Sequence, residues 1–513
     1  MNGSRSDGKP ESAVAGSAPG AKGLKGGALG IVAMIVIGVA STAPGYSIAA
    51  SLGFVSEEVG LQAPAILLIA FLPMLFIASA YYYLNRADPD CGTTFSWVTR
   101  AMGPQLGWLG GWGIFIADLL VMPSLATIAS SYTFLLFGAD GLASDTFWVT
   151  ALGVVFIAAM TWICYIGIEL SARTQVGLLG VELATLVLFA VVALYKVFAD
   201  APAGSIDPSW SWINPFEIQS SSALAAGVLI ALFIYWGWDT AVTVNEESED
   251  ARRGPGLAGV LSTIILVTIY VVVALAAQAF AGPQVLVDNA DDVLSVLGRE
   301  VLGTPWDKLL IVAVLTSAAA STQTTILPTA RTALSMAAHK AAPESLATVS
   351  TRRLTPTVAT VFFGVASCVW LVGLTILSQN VLADSILALG FGIAFYYGIT
   401  GVACVIYYRR QLFRSVKNFV FIGVAPALGA AGLFWAFGKS AIDLAKPENS
   451  ESGDSWFGLG PPLVIGVGLL LLGIPLMWIW RAGHPDFFRR RFEIAPEEGE
   501  TVEVIAPEPV TGA

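Results

Sequence analysis

The residues able to do chemistry in this sequence are few, and most of them stand among apolar neighbours. Three acids, Asp118, Glu182 and Asp239, fall well inside stretches long enough to cross a bilayer. An ionised carboxylate facing lipid costs about 2.5–3.5 kcal/mol, so each acid must be neutral, paired or turned toward water. Such an acid either hydrogen-bonds a neighbouring helix in its neutral form or exchanges a proton and meets cations. Asp239 ends the run Tyr235-Trp236-Gly237-Trp238-Asp239, where ring faces and a carboxylate can enclose a cation, or where the tryptophans only pack. Upstream, Ser41-Thr42-Ala43-Pro44-Gly45 interrupts another apolar stretch with a proline that lacks a backbone donor and a glycine that tolerates non-helical angles. The hydroxyls of Thr316, Ser317, Ser321, Thr322, Thr324 and Thr325 suit either a sodium ion or close packing between helices.

Other chemistries lack their parts. Cys91, Cys164, Cys368 and Cys404 show no paired spacing for a disulfide framework or a zinc site, and both histidines, His339 and His484, fall outside the apolar segments. No GxxxxGK[ST] phosphate loop is present, so no nucleotide site of that kind is expected. We therefore expect no enzyme activity, no cofactor and no metal.

The elements that must position these residues follow from composition. Only 12% of the 513 residues are charged and 56% are hydrophobic, against about 25% charged in soluble domains, which marks an all-α integral membrane protein. A net charge of -11 argues against a nucleic-acid partner. Twelve apolar segments are expected, at 28–55, 61–84, 106–137, 147–166, 174–198, 223–246, 257–281, 307–336, 355–377, 383–407, 418–438 and 460–481. With the N-terminus inside, 21 of the 26 Lys and Arg fall on the cytoplasmic side, which predicts a multi-pass plasma-membrane protein with both termini cytoplasmic. The chain divides into a disordered tail (1–27), a ten-helix core (28–407), two peripheral helices (408–481) and an acidic disordered tail (482–513).

The two interruptions fall within segments one and six, which open successive groups of five. Because five is odd, the two groups of five must insert in opposite orientations, and paired interruptions in inverted halves point to a midplane site for a small molecule or ion. The run Phe233-Ile234-Tyr235-Trp236-Gly237-Trp238-Asp239, followed by Asn245-Glu246-Glu247 and Pro255, resembles the sixth-helix signature of the amino acid-polyamine-organocation (APC) superfamily of permeases. The loop Pro89-Asp90-Cys91-Gly92-Thr93-Thr94-Phe95, with Gly103-Pro104 and Gly110-Gly111-Trp112, is similar to that family's second cytoplasmic-side loop. The resemblance covers about residues 28–440 and implies a five-plus-five inverted repeat with broken first and sixth helices and two peripheral helices.

It also implies secondary transport of amino acids by alternating access, driven by protons, sodium or exchange. The alternatives are a carrier of polyamines, other organic amines or cationic amino acids, and a permease-like nutrient sensor. By resemblance the substrate lies against Ser41, Thr42, Ala43, Gly45, Tyr235, Trp236, Gly237, Trp238 and Asp239. Many members hold a substrate carboxylate on first-helix backbone N–H groups, and Pro44 removes one of these donors here. Proton-driven relatives place a lysine on the fifth helix where this chain aligns Glu182, and sodium-coupled ones use eighth-helix hydroxyls, here Ser317 and Ser321. Asp118 is a further intramembrane acid.

Overall fold

The computed structural model describes residues 22–490, except Asp291 and Ser378. Eleven helices are long and apolar enough to cross a membrane, and a shorter apolar helix, Ser221–Phe233, supplies the remaining expected crossing. In chain order the spans are 1 (Ile31–Ser41 and Pro44–Ala49), 2 (Ala63–Ala87), 3 (Pro104–Leu136), 4 (Thr146–Ile166), 5 (Ile168–Asp200) and 6 (Ser221–Phe233 and Thr240–Thr243). They continue as 7 (Gly254–Asp288), 8 (Lys308–Ala338), 9 (Thr357–Leu377), 10 (Gln379–Tyr407), 11 (Ala425–Asp443) and 12 (Pro461–Gly483). Among the described residues no element is a strand, as expected where every backbone polar group must be satisfied within its own segment.

Packing separates centre from periphery. The most apolar window of span 3 is 78% buried and that of span 12 only 22%. Span 2 packs against span 7 and span 3 against span 8, the pairs that a five-span repeat makes equivalent. Spans 11 and 12 lie outside, on spans 2 and 10 and on spans 3 and 10 respectively. The outer surface carries Val32, Val155, Val187 and Ile479, all exposed, an apolar coat suited to lipid.

Both interruptions are real breaks, with different backbone devices. In span 1, Ala43 adopts the left-handed conformation (φ 47°, ψ 62°), so helix geometry stops at Thr42 and restarts at Pro44, whose missing N–H costs nothing in a first turn. Gly45 is already helical, and the conformational burden falls on Ala43. In span 6 the helix ends at Phe233 and restarts at Thr240, and Gly237 carries the positive angle (φ 114°).

Three expectations need correction. Span 5 begins at Ile168 rather than 174, so Glu182 lies about 21 Å from its start at about 1.5 Å per residue. The expected first tail does not extend to 27. Leu24 is fully buried and Lys22 is locked into an ionic cluster, because burying an apolar side chain and a paired ammonium outweighs the entropy of a loose end. The expected second tail does not begin at 482. Pro485–Arg489 is helical, and Phe487 and Phe488 bury against Phe95 and Trp108. The remainder of both tails, residues 1–21 and 491–513, lies outside the described residues.

Candidate functional site

The two breaks meet. Ser41 Oγ and Thr240 Oγ1 share a hydrogen bond of 2.8 Å, and a Cβ on Gly237 would fall 2.7 Å from the Ser41 carbonyl oxygen. Backbone contact this close, at a positive φ, leaves glycine as the only residue that fits. Span 8 backs the contact, with Ser321 Oγ donating to the Ser41 carbonyl at 2.9 Å.

Around the first break stand Glu182 from span 5 and Ser317 from span 8. The Gly45 N–H donates to Glu182 Oε1 at 2.6 Å and the Tyr46 N–H to Ser317 Oγ at 3.2 Å. Glu182 is fully buried, and its Oε2 has no partner among the described residues. Thr42 turns its hydroxyl back to the Val39 carbonyl at 2.7 Å.

Around the second break, Asp239 accepts hydrogen bonds from Tyr397 (2.7 Å) and Tyr396 (3.2 Å), both on span 10. Trp236 Nε1 donates to the Tyr396 hydroxyl at 2.5 Å, so an indole, a phenol and a carboxylate form one chain. Trp238 lies 5.4 Å from the Tyr397 ring and 5.1 Å from Tyr81, fully buried. Asp118, on span 3, accepts from Thr329 on span 8 and lies within electrostatic reach of Asp239.

The expected site residues therefore divide. Ser41, Ala43, Gly45, Glu182, Ser317, Ser321 and Gly237 come together at the crossing. Trp236, Trp238 and Asp239 form an adjoining aromatic-acid cluster, with Asp118 at its edge. Tyr235 turns away, its hydroxyl donating to the Leu67 carbonyl on span 2 at 2.9 Å.

The polar residues that follow the second break work as a clasp. Asn245 Nδ2 donates to Asn85 Oδ1 and to the Asp90 carbonyl. Glu246 accepts from the Cys91 N–H at 3.0 Å and pairs with Lys22 at 2.6 Å, while Lys22 also pairs with Asp90 at 2.8 Å. Glu247 holds Arg331 of span 8 in a two-pronged pair at 2.6 and 2.8 Å. Burial alone would raise the Asp90 carboxyl, but the Lys22 ammonium, His339 and the Ser335 hydroxyl outweigh it and hold it well below the usual carboxylate range. Burial would likewise lower Lys22, and Asp90, Cys91 and Glu246 instead raise it well above an ordinary lysine. Sulfur and carboxylate oxygens of Asp90, Cys91 and Glu246 lie within 4.8 Å of one another, and the Lys22 ammonium contacts all three, at 2.8, 3.7 and 2.6 Å.

Sequence reasoning missed Tyr396, Tyr397, Lys22 and Arg331. The tyrosines are neutral in an apolar run and give no signal. Arg331 could have been found as the one cation inside the eighth segment, 307–336, other than Lys308 at its edge.

The profile of the amino acid permease family matches residues 28–470. An uncharacterized transporter of Mycobacterium tuberculosis is 27% identical over 381 residues, 74% of this chain and 79% of that protein. The branched-chain amino acid permease BcaP of Bacillus subtilis is 23% identical over 318 residues, 58% of this chain and 64% of its own length. The low-affinity putrescine importer PlaP of Escherichia coli is 22% identical over 228 residues, 44% and 48% of the two chains. With two broken spans meeting at buried acids, and a family profile that covers most of the sequence, the chain belongs to the amino acid permease family of the APC superfamily and is a multi-pass membrane transporter of small molecules, not an enzyme.

Proposed function

We propose that this transporter is a secondary active carrier of small amino-group-bearing molecules, amino acids or their amine relatives, working by alternating access across the plasma membrane with both termini cytoplasmic. The observation that carries the reading is the meeting of the two breaks with one buried carboxyl beside each, Glu182 at the first and Asp239 at the second. Asp239, ringed by Trp238, Tyr396 and Tyr397, supplies the negative charge and aromatic faces that attract an ammonium group. Branched-chain amino acids and putrescine, for which two of the relatives are named, all bear amino groups, which fits this chemistry.

Protons are the proposed coupling ion. Glu182 touches the hinge of span 1 directly, so adding or removing its proton changes how firmly Gly45 is held and biases one access state over the other. Ser317 and Ser321 already bond the backbone of span 1, which favours this reading over a sodium site built on the same hydroxyls.

The test is uptake by the purified full-length protein in liposomes, challenged with a panel of amino acids and amines under separate pH and sodium gradients. We expect accumulation to follow the pH gradient in the unmodified protein. Glu182→Gln, which mimics the protonated form, should lose that accumulation while substrate exchange persists. Accumulation that follows sodium at constant pH, or that survives in Glu182→Gln, excludes the proton mechanism. If nothing on the panel competes, the substrate class is wrong.

A further inference from the structure

Span 5 carries one polar face. Ser171, Gln175 and Glu182 follow one another at spacings of four and seven, which stacks their side chains on one side of the helix, and all three are fully buried. Val176, Val181 and Val187 turn outward on the other sides. Span 8 packs on span 5 and brings Gln323, also fully buried. From Glu182 at the crossing, the face runs about 16 Å to Ser171 at about 1.5 Å per residue, toward the end that is cytoplasmic in the proposed orientation. There Glu169, exposed in the first turn, pairs with Lys25 at 2.8 Å.

Polar atoms along this face are left over. Gln175 Nε2 donates to the Ala320 carbonyl of span 8 at 3.0 Å, which fixes the amide's orientation and leaves Oε1 without a partner among the described residues. One turn further along span 8, Gln323 has neither Oε1 nor Nε2 paired. Its backbone carbonyl accepts from Cys164 of span 4 at 3.5 Å. The Gly45 N–H occupies Glu182 Oε1, so the unpaired Oε2 is the oxygen that carries the proton in the neutral acid. Other ionisable groups around this stretch are committed elsewhere. The Tyr46 hydroxyl of span 1 bonds Ser124, the Tyr270 hydroxyl of span 7 donates to the Ile234 carbonyl, and Arg331 of span 8 is held by Glu247.

A buried amide without partners is costly, and where the surroundings are polar the partner is water. We propose that Gln175 and Gln323 hold a file of ordered water between spans 5 and 8, and that this file is the route by which Glu182 exchanges its proton with the cytoplasmic side. The proposal rests on the reading of Glu182 as the acid that exchanges protons. Gln175 Oε1 accepts from water, and Gln323 offers it one acceptor and one donor group. A proton leaving Glu182 Oε2 enters the nearest water as another leaves the far end of the file. Both glutamines are positioning residues, since neither gains nor loses a proton.

Infrared spectroscopy of the purified full-length protein in lipid nanodiscs tests this. The C=O stretch of protonated Glu182 is the carboxylic-acid band that disappears in Glu182→Gln, and it shifts when deuterium replaces the proton. On transfer to heavy water, we expect that shift to be at least about tenfold slower in Gln323→Leu and in Gln175→Leu than in the unmodified protein. Gln278→Leu, at a half-paired glutamine of span 7 that bonds the Leu61 carbonyl, should leave the rate unchanged. Gln323→Ser, which yields space to water and keeps a hydroxyl, should stay fast, an outcome that a merely structural role for Gln323 does not produce. Thermal unfolding checks each variant, and where leucine does not fold, methionine replaces it. Equal rates in the folded leucine variants and the unmodified protein overturn the proposal, as does slow exchange in Gln323→Ser. The two levels separate. If no carboxylic-acid band is lost in Glu182→Gln, the reading of that acid falls and the water route with it. If a pH gradient drives accumulation but the leucine variants exchange at the unmodified rate, only the water route falls. If they exchange slowly but no pH gradient drives accumulation, the proton coupling falls and the water route stands.

Discussion

Asp239 is held by two phenol donors, and this dictates what its neutral analogue would do. In Asp239→Asn one of the two tyrosines faces an amide N–H₂ in place of an acceptor, and the negative charge is lost. For an ammonium-bearing cargo we expect binding to weaken by about 2–5 kcal/mol, the worth of a desolvated charge pair. Thermal unfolding measured alongside separates this from loss of fold, and unchanged affinity for a cationic cargo would sink the assignment. The acids themselves are legible in the sequence, because a charge among apolar residues is conspicuous. Their partners are not. Tyr396 and Tyr397 stand in an apolar run that reads as core, and Thr329 is one hydroxyl among many on span 8. Tyr235 shows the converse: its place in the signature suggests the site, but its hydroxyl is needed to satisfy a carbonyl of span 2.

At the scale of the element, the break of span 1 invites a test at the residue whose backbone carries it. Ala43 stands in a left-handed conformation that costs an L-residue roughly 1–2 kcal/mol. Ala43→Gly should therefore fold with equal or higher thermal stability, whereas Ala43→Val should lower the unfolding temperature, since a β-branched residue tolerates that region least. Equal melting of the two variants would show that Ala43 is not the hinge. Composition predicts the break well, because proline and glycine mark it, but points to the wrong residue. Proline only needs a first-turn position, and the left-handed residue is the one before it. Helix starts are read less well than interruptions. The fifth helix begins at Ile168 because Gly167 ends the preceding helix and permits an immediate restart, a junction too short to register as a loop in a hydropathy pattern.

Across the whole molecule, the clasp of Lys22, Asp90 and Glu246 ties the segment before span 1 to the loop after span 2 and to the stretch that follows the second break. Lys22→Ala would leave two buried carboxylates without their cation, a change that costs about 3–5 kcal/mol for a buried pair and so favours opening. Cys91, fully buried beside them, reports that opening. We expect alkylation of Cys91, followed by peptide mass spectrometry, to be at least about tenfold faster in Lys22→Ala. Equal rates would show that the clasp does not hold these segments closed. The lowered Asp90 contributes its stabilisation above the ordinary carboxylate value of about 4 and loses it only below its own, lower value. The raised Lys22 contributes below about 10.4 and loses it only above its own, higher value. Above the ordinary histidine value of about 6.5, where His339, itself lowered by burial, is neutral, clasp strength should be flat up to the lysine limit, and alkylation corrected for thiolate fraction should not vary from about pH 7 to about pH 8. None of this was visible in a glycine- and serine-rich N-terminal segment, where a single lysine has no neighbours in sequence to mark its partners.

Beside the clasp, the chain runs as a short parallel pairing. The Ala28 and Leu29 N–H groups donate to the Glu247 carbonyl, and the Glu249 N–H donates to the Leu29 carbonyl. The entry to the first half of span 1 is thereby stitched to the exit from the second half of span 6, two pieces more than 200 residues apart in sequence. Stitched in this way, the two half-helices form one lever with a fulcrum where the breaks cross. On the proposed alternating-access reading, a displacement of either half is expected to carry the other with it.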